Sequence, residues 1–152
     1  MAELVEIDVT LSSEWHLTAP SVEFWIDDNL ISDDFVSEKN KEKASKKLSW
    51  KGDLDDGDHV IKIKLKNKTN KETVINKSTN EILFDQLLHI ETISIDEIDL
   101  GFLCYKLSKF YPDKTLRPDL DDVIPTLNCI GYNGEWQLKF QVPTYLWLLE
   151  NF

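Results

Sequence analysis

Apolar and polar residues alternate at every second position along much of this chain, which is typical of β-strands with one buried face. The alternation is clearest at residues 5–12, 22–26, 59–66 and 135–142. The polar run 27–29 follows the second of these segments and supplies turn residues, so this region predicts a hairpin. Amphipathic helices do not alternate with the strands, which argues against a parallel α/β sheet.

A longer alternating stretch and two polar connections complete the strand pattern. Residues 37–47 predict an exposed loop or a polar helix, and residues 67–80 predict a polar connection. Residues 87–95 predict a strand that places on one face Leu87, His89, Glu91, Ile93 and Ile95.

Helical spacing is confined to two segments. Residues 101–111 predict one short helix, which Pro112 ends. Residues 143–152 predict one closing helical turn, and the residues expected to pack are Tyr145, Leu146, Leu149 and Trp147. Together these elements predict an all-β fold: an antiparallel, jelly-roll-like β-sandwich with one short helix and a C-terminal helical turn, in a single domain spanning 1–152.

The charge of the chain disfavours two classes of partner. Its 152 residues carry a formal net charge of -11, which repels nucleic acid and anionic lipid. The segment 37–77 is the exception, with twelve Lys against seven acids, and we interpret it as a solvent-facing surface. Neither a signal peptide nor a membrane-spanning stretch is recognisable, so we expect a protein that is cytoplasmic in the producing cell or associated with a virion.

Motifs for catalysis or metal binding are sparse. The two cysteines, Cys104 and Cys129, are far apart and predict reduced, buried thiols, and the three histidines form no ligand motif. The acidic segment 53–58 offers carboxylates for calcium through Asp53, Asp55, Asp56 and Asp58. Its register does not fit a helix-loop-helix calcium site, so a hairpin turn rich in Asp and Gly is the preferred interpretation.

The five tryptophans are the most informative feature of the composition. Trp25 is out of phase with Phe24 and Ile26, which predicts that its indole lies on the polar side of its strand. Trp15 and Trp50 stand near predicted loops and are further candidates for exposure. An exposed indole stacks on a sugar ring or meets a protein partner, and both alternatives are left open for Trp25.

Two stretches of sequence resemble known groups of proteins. Residues 57–63 and 93–100, with the sequences GDHVIKI and ISIDEIDL, resemble strand pairs of jelly-roll carbohydrate-binding modules. The whole chain, including residues 134–136 and 145–150, is similar to small proteins encoded by tailed phages of marine bacteria. In that second group Gly often occupies the corner at which this chain has Glu97. These resemblances imply a sugar-binding or virion-associated module.

From these patterns we expect a non-catalytic recognition module that binds a glycan. Trp25 would be the stacking platform, and Asp27 and Asp28 would accept hydrogen bonds from hydroxyl groups. The alternatives are a structural protein of a virion or another assembly, with self-association open, and a glycoside-active enzyme with two carboxylates on different strands. No cofactor is expected other than calcium at the acidic segment.

Overall fold

The fold is an antiparallel, mainly β sandwich, as the alternation predicts. The computed structural model describes residues 2–38, 45–125 and 128–152. Two sheets enclose a core that draws buried residues from both, including Ile7 and Ile93 from one sheet and Ile63 and Leu138 from the other. No helix in the described part of the chain is long and apolar enough to cross a membrane.

The smaller of the two sandwich sheets, called the five-stranded sheet, has β1 at its centre. Its order is β12-β8-β1-β4, and the short β9 pairs with β8. The strands are β1 (Ala2–Glu14), β4 (Lys46–Asp55), β8 (Leu87–Ile95), β9 (Ile98–Asp99) and β12 (Cys129–Ile130). The predicted loop or polar helix at 37–47 lies partly outside the described residues, and its last two residues begin β4.

The larger sheet, called the six-stranded sheet, has the order β11-β10-β13-β5-β2-β3. Its strands are β2 (Ser21–Ile26), β3 (Asn29–Phe35), β5 (Gly57–Leu65), β10 (Lys109–Pro112), β11 (Ile124–Pro125) and β13 (Gly134–Val142). Outside the sandwich, β6 (Val74–Ile75) pairs with β7 (Ile82–Phe84), and the helices are α1 (Phe102–Leu107) and α2 (Thr144–Asn151). The predicted hairpin at 22–31 is β2–β3.

A β-bulge corrects the predicted face of β8. Thr10 pairs with Thr92 but Leu11 pairs with Ile90, so Glu91 is an extra residue in the ladder. The bulge shifts the alternation by one position, and both halves of the strand therefore place apolar side chains in the core. The buried residues are Leu88, Ile90, Ile93 and Ile95, whereas Leu87, His89 and Glu91 are not buried.

The closing helix also packs differently from the expectation. Thr144, Trp147 and Leu148 form its buried face, and Trp147 meets Phe140 of β13 edge-on with ring centroids 6.3 Å apart. Trp147 is therefore buried as predicted, but because a helix places residues three and four apart on one side, burying Trp147 and Leu148 turns the other three predicted packing residues outward. The exposed side chains are Tyr145, Leu146 and Leu149.

The corner between β8 and β9 is tight although it lacks glycine. Asp96 and Glu97 both adopt positive φ, at 51° and 69°, as the central residues of a two-residue hairpin require. Asp96 also accepts a hydrogen bond from the backbone N–H of Glu6 at 2.9 Å, and its other oxygen accepts one from Thr144 Oγ1 at 2.5 Å. These bonds tie the corner to β1 and to α2 and offset the backbone strain.

Candidate functional site

Trp25 lies on the outer face of the six-stranded sheet, where the phase of β2 places it. Its neighbours Phe24 and Ile26 are each 1% exposed in the core, whereas Trp25 is half-buried on the opposite side. The indole Nε1–H donates a hydrogen bond to Glu23 Oε1 at 2.9 Å. This hydrogen bond fixes the orientation of the indole ring before a ligand binds.

Strand pairing places Trp25 in a polar row that crosses the sheet. From β10 to β3 the row runs Lys109, Gln137, Lys62, Trp25 and Leu30. A parallel row one pleat away runs Tyr111, Glu135, Lys64, Glu23 and Asp33. We call these two rows the Trp25 face. Neighbouring strands are about 4.8 Å apart and residues rise about 3.4 Å each, so three strand spacings and a two-residue offset separate Trp25 from Tyr111 by roughly 16 Å.

Ion pairs hold the polar groups at one side of this face. Lys66 Nζ lies 3.0 Å from Glu23 Oε2 and 2.6 Å from Asp33 Oδ2. The hydrogen bond from Lys66 and the one from the Trp25 indole lower the pKa of Glu23. Glu23 is therefore ionised at neutral pH, and the acceptor that orients the indole is a carboxylate.

Amide and carboxylate groups fill the centre of the Trp25 face. Gln137 Nε2 donates a hydrogen bond to Glu135 Oε1 at 2.5 Å, so the two side chains lie side by side on β13. Lys62 Nζ lies 3.6 Å from Asp28 Oδ1 at the β2–β3 turn. Planar amides, carboxylates and ammonium groups beside a ring are the groups that hydrogen-bond sugar hydroxyls.

Asp27 has a different role from the one expected of it. Its Oδ2 lies 2.7 Å from His59 Nδ1, and its Oδ1 accepts the backbone N–H of Val60 at 2.9 Å. Both carboxylate oxygens are thus engaged within the fold, whereas Asp28 is fully exposed. The contacts of Asp27 join the β2–β3 turn to the start of β5.

His59 links the same turn to the β4–β5 turn. Its Nε2 lies 2.6 Å from the carbonyl oxygen of Asp55, so both ring nitrogens face acceptors. Burial alone would lower the pKa of His59, but the hydrogen bonds to Asp27 and Asp55 outweigh it and the pKa is raised. A doubly protonated, charged imidazole satisfies both acceptors.

A separate groove of about 570 Å³ lies between α2 and the ends of β5 and β13, next to the Trp25 face but lined by none of its residues. It lies at the end of the six-stranded sheet that carries the β2–β3 and β4–β5 turns. Its polar lining residues are Asp27, Asp58, His59, Lys139, Gln141, Glu150 and Asn151. The groove extends the supply of hydrogen-bonding groups beyond the two rows.

The other two candidate tryptophans do not join this surface. Trp15 follows β1 and is half-buried, with its Nε1–H 3.4 Å from the Ser37 carbonyl oxygen. Trp50 lies within β4 opposite Ile7 and packs against the core, so it is not a loop residue. A Cβ at Gly52 would lie 2.6 Å from its ring, which shows that the indole covers this glycine.

The acidic segment 53–58 is not one long turn, because it contains the end of β4 in the five-stranded sheet and the start of β5 in the six-stranded sheet. Asp53 and Asp55 belong to β4, and Asp58 belongs to β5, where it accepts a hydrogen bond from Gln141 Nε2 at 2.9 Å. These carboxylates are thus distributed over the ends of two strands in different sheets. Within residues 2–38, 45–125 and 128–152, no group of three or more His, Cys, Asp or Glu side chains is arranged to hold a metal ion.

Comparison of the chain with protein families, with curated proteins and with solved structures found no match. Sequence reasoning identified Trp25 but missed Gln137, Glu135, Lys62 and Tyr111, which share its face. The signal for them was the outward phase of β5 and β13, but it becomes informative only once the order of strands is known.

Proposed function

We propose that the protein is a non-catalytic recognition module that binds a glycan on the Trp25 face. The observation that carries this proposal is the half-buried indole of Trp25, held by an ionised Glu23 in a row of polar side chains on an exposed sheet. A sugar ring stacks its apolar face on an indole, while its hydroxyls exchange hydrogen bonds with amides and carboxylates at the rim. Gln137 and Glu135 are the nearest such pair on β13.

Comparison with the outer face of the five-stranded sheet supports the Trp25 face as the glycan site. Across its outer face the paired positions include Lys47, Thr10 and Thr92 in one row and Ser49, Asp8 and Ser94 in the next. Those rows carry hydroxyls and charges but no ring. The Trp25 face combines polar side chains with two rings, Trp25 and Tyr111, and therefore fits a sugar better.

A glycan array with the purified protein tests the proposal, and titration of a bound glycan then compares variants. Trp25→Ala removes the stacking surface and is expected to weaken binding about 10-fold, which corresponds to about 1.4 kcal/mol. Tyr145→Ala is the matched control, because Tyr145 is an exposed ring on α2, outside the Trp25 face. Gln137→Ala provides a second loss-of-binding variant that leaves the indole in place.

Equal affinity of wild type and Trp25→Ala would refute the assignment of the stacking platform. The array is run with calcium and again with chelator, so that loss of binding in chelator would show that a metal takes part in glycan binding. No glycan bound under either condition would refute the proposal.

Association with a protein is the second candidate, and the outer side of α2 favours it. Leu149 is 75% exposed and Tyr145 is 59% exposed, four residues apart on one face of the helix. In an assembly such as a virion this face would be covered by a neighbouring subunit. Light scattering tests the simplest case, a second copy of this chain: Leu149→Lys would convert an oligomer to a monomer, and a monomeric wild type would exclude self-association.

A further inference from the structure

Three chemically distinct side chains meet on adjacent strands of the five-stranded sheet, away from the Trp25 face. Glu14 ends β1, His89 lies in β8, and Cys129 pairs with His89 across the ladder from β12. Glu14 Oε2 lies 2.8 Å from His89 Nε2. Leu88 and Ile90 are buried in the core, so His89 between them points to the outer side of the sheet.

The thiol of this trio lies on the wall of a cavity. Cys129 is half-buried and lines a space of about 580 Å³ between the sheet, the β6–β7 pair and the segment 113–117. The apolar lining residues are Ile75, Ile82, Leu87, Leu116 and Tyr132. A ligand with an apolar body that enters this space therefore comes to the sulfur atom.

The charged groups of the cavity are largely paired with one another. Lys68 Nζ lies 2.7 Å from Asp85 Oδ1, and Arg117 lies 5.3 Å above the Tyr132 ring while it binds Asp119 with two nitrogens. The remaining charged groups near the trio are Asp113 in the cavity wall and Glu91, which accepts a hydrogen bond from Ser12. Because the cations are already neutralised, the cavity suits an uncharged ligand better than an anion.

The hydrogen bonds of the His89 imidazole favour a proton shared between His89 and Cys129. The hydrogen bonds with Cys129 and Glu14 raise the pKa of His89 to about 9, although burial alone would lower it. Cys104 provides the contrast within the same chain: it is buried, has no such partner, and burial raises the pKa of its thiol to about 12. Cysteine reactivity follows the thiolate form and access to it.

We propose that Cys129 is a nucleophilic thiol, assisted by His89 and oriented through Glu14, that reacts with uncharged electrophiles in the adjoining apolar cavity. In the reaction with an alkyl iodide such as iodoacetamide, the thiol proton resides on His89. The sulfur then forms a bond to carbon, the carbon–iodine bond breaks, and iodide leaves. Glu14 is a positioning residue, because it touches the imidazole and not the sulfur.

Alkylation by iodoacetamide, followed for each cysteine by peptide mass spectrometry, tests the proposal. An ordinary thiol is only about 3% thiolate at pH 7, and a thiolate held by an imidazolium is somewhat less nucleophilic, so we expect Cys129 to react on the order of 10-fold faster than glutathione. His89→Gln should reduce the rate to that of an ordinary thiol. The matched control is His16→Gln, since His16 is an exposed histidine that stacks on Phe84.

The pH dependence separates assistance by His89 from simple exposure of the thiol. Because His89 keeps its proton in this range, the wild-type rate should rise less steeply with pH between 6 and 8 than the rate of His89→Gln, which should rise about 10-fold for each pH unit as for an ordinary thiol. A wild-type rate that also rises 10-fold for each unit would overturn the proposal. This comparison stands even if His89→Gln does not fold, because glutathione provides the reference profile.

Selectivity among reagents tests the ligand class. For each thiol, the rate of alkylation by N-phenyl iodoacetamide is divided by the rate with iodoacetate. This ratio should be at least about 10-fold higher for Cys129 than for glutathione, because the cavity is apolar and its cations are paired. Equal preferences at Cys129 and at glutathione would overturn the assignment of an uncharged, apolar ligand. Cys104 should stay unlabelled in the folded protein throughout.

Discussion

Two glycines that begin strands provide a matched pair for measuring the cost of a steric clash. Gly134 begins β13 with φ +149°, and a Cβ there would lie 2.5 Å from the Tyr111 carbonyl oxygen and 2.7 Å from Pro112 Cα. Gly57 begins β5 with φ +122°, and a Cβ there would meet nothing within 4 Å. Alanine is strained by the backbone conformation at both positions, but only at Gly134 does it also collide with a neighbouring strand.

The expected losses follow from these distances. Backbone strain alone costs of order 1–3 kcal/mol, which sets the expectation for Gly57→Ala at about 1–2 kcal/mol of unfolding free energy. The contacts at Gly134 are with backbone atoms, so β10 must move, and overpacking of this kind adds about 1–3 kcal/mol. Gly134→Ala should therefore lose about 2–5 kcal/mol in total. The same movement would shift Tyr111 relative to Glu135 on the Trp25 face.

Urea unfolding followed by tryptophan emission and by far-UV circular dichroism measures both losses. For a chain of this size each kcal/mol lowers Tm by about 2–4 °C, so thermal unfolding provides a second reading. Equal losses in the two variants would refute the reasoning, because the clash would then contribute nothing. A loss at Gly57 larger than at Gly134 would refute it more strongly.

Two further stability predictions concern side chains that join distant segments. Because the pKa of His59 is raised in the folded protein, the charged imidazole stabilises the fold. This stabilisation is complete below the ordinary histidine pKa of about 6.5, and it is lost as the pH rises through the raised pKa of the folded protein. We therefore expect the difference in unfolding free energy between wild type and His59→Gln to fall by about 1–2 kcal/mol between pH 6 and pH 9. A constant difference would contradict a charged imidazole between Asp27 and Asp55. Asn133 accepts the N–H of Lys68 at 2.8 Å and donates to its carbonyl oxygen at 2.8 Å, so Asn133→Ala should cost about 1–3 kcal/mol in urea unfolding, whereas an unchanged midpoint would show that water replaces both bonds.

Local alternation was enough to predict most of the sandwich but not its irregularities. The strands at 5–12, 59–66 and 135–142 follow from the period of two alone, and so does the outward phase of Trp25. The β8 face was wrong because a single extra residue, Glu91, reverses the alternation, and no local feature of the sequence marks it. Trp50 was misplaced because β4 extends further toward the acidic segment than its composition indicates.

The grouping of side chains into sites depends on strand order, which the sequence alone does not reveal. Gln137 and Trp25 are far apart along the chain, and they share a row only because β5 lies between β13 and β2. Cys129 and Glu14 approach His89 from opposite sides of β8 for the same reason. In α2, the periodicity allowed either of two faces to pack, and contact with Phe140 selected the one that carries Trp147.

The central position of β1 and β13 also determines when the chain can fold during synthesis. β1 pairs with β8 as far along the chain as Ile95, and β13, which ends at Val142, separates β5 from β10. β1 can pair with β4 early, but its second neighbour, β8, is made only later, and the six-stranded sheet is interrupted until β13 has been made. Long-range pairing of this kind slows folding and leaves strand edges exposed in the meantime. A ribosome-bound chain of this protein is therefore expected to be protease-sensitive until β13 has been made, and to depend on chaperones during that interval.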